Sequence, residues 1–192
     1  MFITGGFISK YRRWFVPGGQ YFFNLITERR QPILTDKLAR DCLRNAIKEV
    51  QIKRPFKIEA IVLLPDHFHT IWSLPEGDSD YSNRIMRIKA IFTKAYLLND
   101  GFEAKASDSK KERGERGVWQ RRFWEHTIQN ETDFMRHYHY IHYNPVKHGH
   151  VKCVKDWPYS SFHEAVKKGY YPENWGCADY GKPIEIDDLD CE

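Results

Sequence analysis

The 192-residue sequence has no apolar run near the roughly 20 residues that span a bilayer, and its N-terminal stretch has no clean signal-peptide core. These absences lead us to expect neither a membrane protein nor a secreted one. The four cysteines, Cys42, Cys153, Cys177 and Cys191, include no C-x-x-C pair. That argues against a zinc ribbon and a disulfide framework, so reduced thiols in a cytoplasmic protein are expected. There is no internal repeat and no convincing linker. With 41% hydrophobic and 29% charged residues, the composition is that of a folded chain rather than a disordered one. A single domain over residues 1–183 is expected, followed by a short tail.

The tail is where negative charge collects. Residues 184–192 carry Glu185, Asp187, Asp188, Asp190 and Glu192 and no basic residue, whereas the whole chain is at +4. Setting the tail aside leaves 30 basic against 21 acidic residues, a body at +9. Aromatic residues make up 15%. Cations for phosphates and rings for unpaired bases suit single-stranded nucleic acid, although a solvated surface over an aromatic core would show the same composition.

Periodicity sets the order of elements. Residues 19–28, 56–64, 67–74 and 119–128 are rich in aromatic and β-branched side chains and are expected to be strands. Helical spacing appears from Asp36 to Val50, over residues 82–98, and from Glu131 to Tyr143, where Asn130 is a suitable cap and Pro145 a stop. Residues 101–117 are charged and nearly free of large apolar groups, the pattern of a mobile insertion. The order β-α-β-β-α-β-α corresponds to an α+β fold of ferredoxin-like or RRM-like type. It predicts an antiparallel sheet with helices on one face, leaving the other face free for a ligand.

Two motifs carry chemistry. In His67-Phe68-His69, strand alternation puts both imidazoles on one face and Phe68 on the other, a pair suited to a metal ion. In Tyr140-Ile141-His142-Tyr143-Asn144-Pro145-Val146, Tyr140 and Asn144 lie four apart on one helical face. A phenol can act as a nucleophile and a neutral amide oxygen can ligate a hard cation. Tyr138 and Tyr143 share the helix, but neither lies four residues before Asn144; spacing alone does not choose among His137, His139 and His142.

Taken together, the motifs resemble the HUH single-tyrosine endonucleases and, more closely, the REP-associated tyrosine transposases, relatives of the small insertion-sequence transposases. The resemblance extends to Tyr11-Arg12-Arg13, to Pro17-Gly18-Gly19-Gln20-Tyr21-Phe22-Phe23, to the stretch from Trp119 to His126, and to Gly149. It implies a catalytic tyrosine, Tyr140, on a C-terminal helix, and Mg2+ or Mn2+ held by His67, His69 and Asn144. Asn144 stands where many insertion-sequence members have the longer Gln. The implied activity is metal-dependent cleavage and strand transfer on single-stranded DNA bearing a palindromic hairpin, through a 5′-phosphotyrosine link. The implied location is cytoplasmic, at the nucleoid, with no membrane partner. Arg12, Arg13, Arg121 and Arg122 are the basic residues assigned to DNA. A hairpin-binding protein that keeps the fold without turnover is the alternative. An RRM-type RNA module is disfavoured because it leaves the paired histidines unexplained. Monomer or homodimer, the general base and the role of the tail stay open.

Overall fold

The computed structural model describes residues 15–106 and 108–177, so Arg12, Arg13 and the acidic stretch 184–192 lie outside the described residues. Alternation along the first strand decides how the sheet is covered. Strand β1 (Gln20–Ile26) sends Tyr21, Phe23 and Leu25 into one core and Phe22 into another, and all four are buried. A strand that is apolar on both sides belongs in the middle of a sheet. β1 lies there, between β3 (His67–Ser73) and β4 (Trp124–Thr127), with β2 (Lys57–Leu63) on the outer edge of β3. All neighbouring strands run antiparallel, in the order β2-β3-β1-β4.

One face carries α1 (Lys37–Lys53) and α2 (Tyr81–Leu98). Leu43, Ala46, Ile47 and Val50 of α1 and Ile85, Ile88 and Phe92 of α2 repeat at three to four residues and close over Tyr21, Phe23, Leu25 and Trp72. The fold is therefore the expected α+β, ferredoxin-like arrangement. The other face is not left bare, contrary to the sequence expectation. Phe22, Ala60, Val62 and Ile71 make it too apolar for water. It is covered by α4 (Glu131–Lys147) and α5 (Phe162–Lys167), which contribute Tyr138, Tyr140, Ile141, Phe162 and Ala165.

Several boundaries differ from the sequence expectation for local reasons. Helix α2 starts one residue early, because Asp80 takes the cap position and its side chain accepts from the Asn83 N–H. β4 is short, and Trp119 instead forms an isolated bridge to Thr27 with its ring in the core. Helix α4 starts at its expected cap, Asn130, but runs past Pro145 to Lys147. The charged stretch contains α3 (Asp108–Glu112), where Lys110 pairs with Glu28 and donates to the Trp119 carbonyl at 3.0 Å. Arg116 and Glu103 close a two-pronged ion pair in the same stretch. Reduced thiols throughout were expected, yet Cys153 and Cys177 form a disulfide across 24 residues. Their partnership exists only after the segment beyond α4 folds back, with Gly176 against Val154 and Tyr143, so sequence spacing carried no sign of it. Among the described residues no helix is long and apolar enough to cross a membrane.

A buried cation ties the α2 face together. The Arg84 side chain is 1% exposed, and all five of its N–H donors are used. Two go to the Asp78 carboxylate, at 3.0 and 2.5 Å, and others to the carbonyls of Arg54, Pro55 and Asp80. Arg84→Ala strands that carboxylate and three carbonyls. We expect it to cost about 3 kcal/mol, the order for breaking a buried pair from one side, read as a fall in the urea midpoint with an unchanged slope.

Candidate functional site

The two histidines of β3 sit where the sheet meets α4. In the antiparallel register His69 lies opposite Asn24 and His67 opposite Ile26, and alternation turns Phe68 to the α1–α2 core. His67 and His69 are both buried, with ring centroids 4.9 Å apart. The β2–β3 turn orients the first of them: Asp66 Oδ1 lies 2.6 Å from His67 Nδ1. Asp66 is itself fixed by Arg30 at 3.1 Å and by Thr27, which donates twice to its carbonyl. Burial alone would raise the Asp66 carboxyl, but the hydrogen bonds and charges of His67 and Arg30 outweigh it and hold its pKa at about 2. A carboxylate at Nδ1 fixes the His67 tautomer and leaves Nε2 as a lone pair, the usual support behind a metal-binding imidazole. His69 is kept neutral, well below the usual histidine range, first by burial and then by the neighbouring His67.

Helix α4 lays a matching row alongside. The Tyr140 ring lies 5.3 Å from the His69 ring, and the His148 ring, two turns further on, lies 5.3 Å from His67. Asn144 is midway between Tyr140 and His148 on the same face, one turn from each, so the row Tyr140–Asn144–His148 runs beside the row His69–His67. His67 Nε2, both ring nitrogens of His69, and both the amide oxygen and nitrogen of Asn144 are buried without a hydrogen-bond partner. A buried polar group left unpaired costs about 1–3 kcal/mol, so five together need an explanation. Two imidazoles and an amide oxygen on facing elements form a donor set that fits a divalent ion.

Of the three candidate tyrosines, only Tyr140 is beside the histidines. Tyr138 packs against Phe134, His142 and Tyr171, and burial pushes its phenol up to about 12. Tyr143 faces Trp175. The Lys147 ammonium lies 3.3 Å from the Tyr140 hydroxyl and 4.8 Å from its ring centroid. The remaining helix histidines divide in the same way. His142 meets Ser161 at 2.8 Å, His139 meets Tyr171 and Trp175, and His137 faces β4.

Four expected residues, His67, His69, Tyr140 and Asn144, are thus brought together. Arg121 and Arg122 are not part of that cluster. They are exposed on the loop before β4, where Gln120 N–H donates to the Ile26 carbonyl, and Arg121 leans on Glu115 at 3.4 Å. Lys147, His148 and Arg30 were missed in the sequence. The first two continue the three-to-four spacing from Asn144 but fall beyond the Pro145 stop. Arg30 reaches Asp66 because Arg29 and Arg30 both take left-handed backbone, at φ of 53° and 51°.

Comparison with known proteins gives a consistent picture. Residues 16–144 match the family described as Transposase IS200 like. A REP-associated tyrosine transposase of Escherichia coli (strain K12) is 45% identical over 169 residues, covering 88% of this chain and 91% of its own length. A relative from Haemophilus influenzae is 45% identical over 171 residues, covering 88% of this chain and 94% of its own. A solved structure of a REP-associated tyrosine transposase bound to a REP hairpin superposes with a TM-score of 0.72 at 41% identity. The match covers 95% of this chain and 99% of that one.

Proposed function

Because the chain belongs to the IS200-like transposases, in their REP-associated tyrosine branch, we propose that it cleaves and rejoins single-stranded DNA beside a palindromic REP-type hairpin, with Tyr140 as nucleophile. The observation that carries this reading is the facing pair of rows, His69–His67 and Tyr140–Asn144–His148, with five polar atoms of His67, His69 and Asn144 buried and unpaired, the two imidazoles and the Asn144 amide oxygen among them.

His67, His69 and Asn144 would hold Mg2+ or Mn2+. When bound, the ion would withdraw charge from a phosphate oxygen and stabilise the crowded phosphorus of the transition state. The Tyr140 oxygen attacks phosphorus; an O–P bond forms, the bond to the 3′-oxygen breaks, and that oxygen leaves with a proton. The 5′-phosphate stays on Tyr140. An aryl phosphodiester conserves the energy of the bond broken, so another strand's 3′-hydroxyl can reverse the step without ATP. Lys147 places a positive charge where phenolate character develops. Asp66 keeps His67 in one orientation through every step. Tyr140 is only 1% exposed, so the scissile strand must open the α4 side of the site to reach it.

The test is incubation of the full chain with Mn2+ and a labelled oligonucleotide carrying the hairpin and a single-stranded flank, followed by denaturing gels. A covalent protein–DNA adduct that disappears on chelation is expected. Hairpin binding without any adduct would favour the non-catalytic binder and sink the enzyme reading. An adduct unaffected by chelation would remove the ion from the mechanism.

A further inference from the structure

A second cluster of ligand-type side chains lies outside the site just described. His126 on β4, with Asp133 and His137 on the first two turns of α4, brings three ligand atoms within 4.8 Å of one another. His126 Nε2 is 2.8 Å from Asp133 Oδ2, and His137 Nδ1 is 3.1 Å from Asp133 Oδ1. The two imidazoles stack at 4.5 Å with 14° between their planes. Phe22 touches both clusters, its ring 4.9 Å from His137 and 5.4 Å from His69. The cluster opens on a depression of about 520 Å³ lined by His126, Gln129, Asn130, Asp133 and Arg136.

We propose that His126, Asp133 and His137 bind a divalent transition ion of the zinc class, at a site distinct from His67, His69 and Asn144. Two imidazoles and one carboxylate are the donor set zinc takes at sites that keep an open position, whereas Mg2+ prefers oxygen ligands throughout. The open side of the depression supplies water for the remaining positions. Such an ion would clamp the first turns of the tyrosine helix to edge strand β4. The competing reading is a hydrogen-bonded hub, since Asp133 Oδ2 also accepts from Gln129 N–H at 2.9 Å and the Asp133 carbonyl lies 2.9 Å from His137 Nδ1.

Cobalt(II) titration of the full chain, followed by visible absorption, decides between them. Asp133→Asn should bind one Co2+ fewer per chain than the parent, and His67→Ala/His69→Ala should keep the ion that Asp133→Asn loses. Zn2+ should raise the melting temperature of His67→Ala/His69→Ala and not that of the same variant carrying Asp133→Asn. An equal Co2+ count in parent and Asp133→Asn would overturn the proposal. If circular dichroism shows Asp133→Asn unfolded, His126→Gln takes its place under the same criterion.

Discussion

Tyr140→Phe is expected to lower the yield of covalent protein–DNA adduct by on the order of 10³-fold or more, the scale seen when a catalytic nucleophile is removed. Hairpin affinity and unfolding midpoint should stay near those of the parent. The change deletes one oxygen from a side chain whose ring stays packed against Phe22 and His69, so the core loses no volume. That oxygen lies 3.3 Å from the Lys147 ammonium, which also sits over the ring and so keeps a favourable contact in the Phe variant. Tyr138→Phe and Tyr143→Phe are the controls. The Tyr138 phenol is pushed up to about 12 by burial in the α5 cluster, which makes it the poorer source of phenolate at neutral pH. An adduct at parental yield in Tyr140→Phe, lost instead in either control, would reassign the nucleophile.

The separation of adduct formation from binding also bears on the basic residues. Arg121 and Arg122 are exposed and outside the His67–Tyr140 cluster, on the loop at the end of the sheet where Ile26 pairs with His67. In the proposed complex, cations so placed would act on the phosphate backbone through counterion release rather than on the reacting phosphorus. Arg30 and Lys147 are different, because both are near enough to His69 to affect its charge. Two cations of the body thus act on the buried rows, a local placement that its overall charge of +9 does not reveal.

How much of this was legible in the sequence depended on whether the signal was local. The H-x-H pair could be read because alternation along a strand is a property of the strand alone, and Phe68 does turn to the opposite core. The Tyr140–Asn144 pairing could be read for the same reason, as one helical turn. What failed was the helix end. Proline removes one backbone donor and crowds the preceding turn, but only two further residues follow Pro145 before α4 closes. His148 N–H still reaches the Asn144 carbonyl at 3.0 Å. Stopping the helix at Tyr143 hid Lys147 and His148, the residues that extend the row to His67. The coverage of the second sheet face, the Cys153–Cys177 bond and the His126–Asp133–His137 cluster were hidden for another reason. Each joins residues whose proximity is created by tertiary folding, and no short-range pattern encodes it.

Asn144→Leu should separate stability from activity more sharply than any other single change. The amide is fully buried, and neither its oxygen nor its nitrogen has a hydrogen-bond partner, so the folded chain without an ion bears the desolvation cost of both. Replacing the amide by an apolar group of similar size removes that cost. The variant should be more stable than the parent by about 1–2 kcal/mol in the presence of chelator, read as a higher urea midpoint. Adduct formation should fall by about 10²-fold or more, since one of three proposed ligands is gone. The order of stability should reverse, or at least close, when Mn2+ is added, because only the parent gains binding energy from the ion. A parent more stable than Asn144→Leu under chelation would show that the amide is satisfied in solution. Adduct formation that survived the substitution would remove Asn144 from the ligand set and leave His67 and His69 to be completed from elsewhere, with His148, at the C-terminal cap of α4 and 5.3 Å from His67, a neighbouring imidazole.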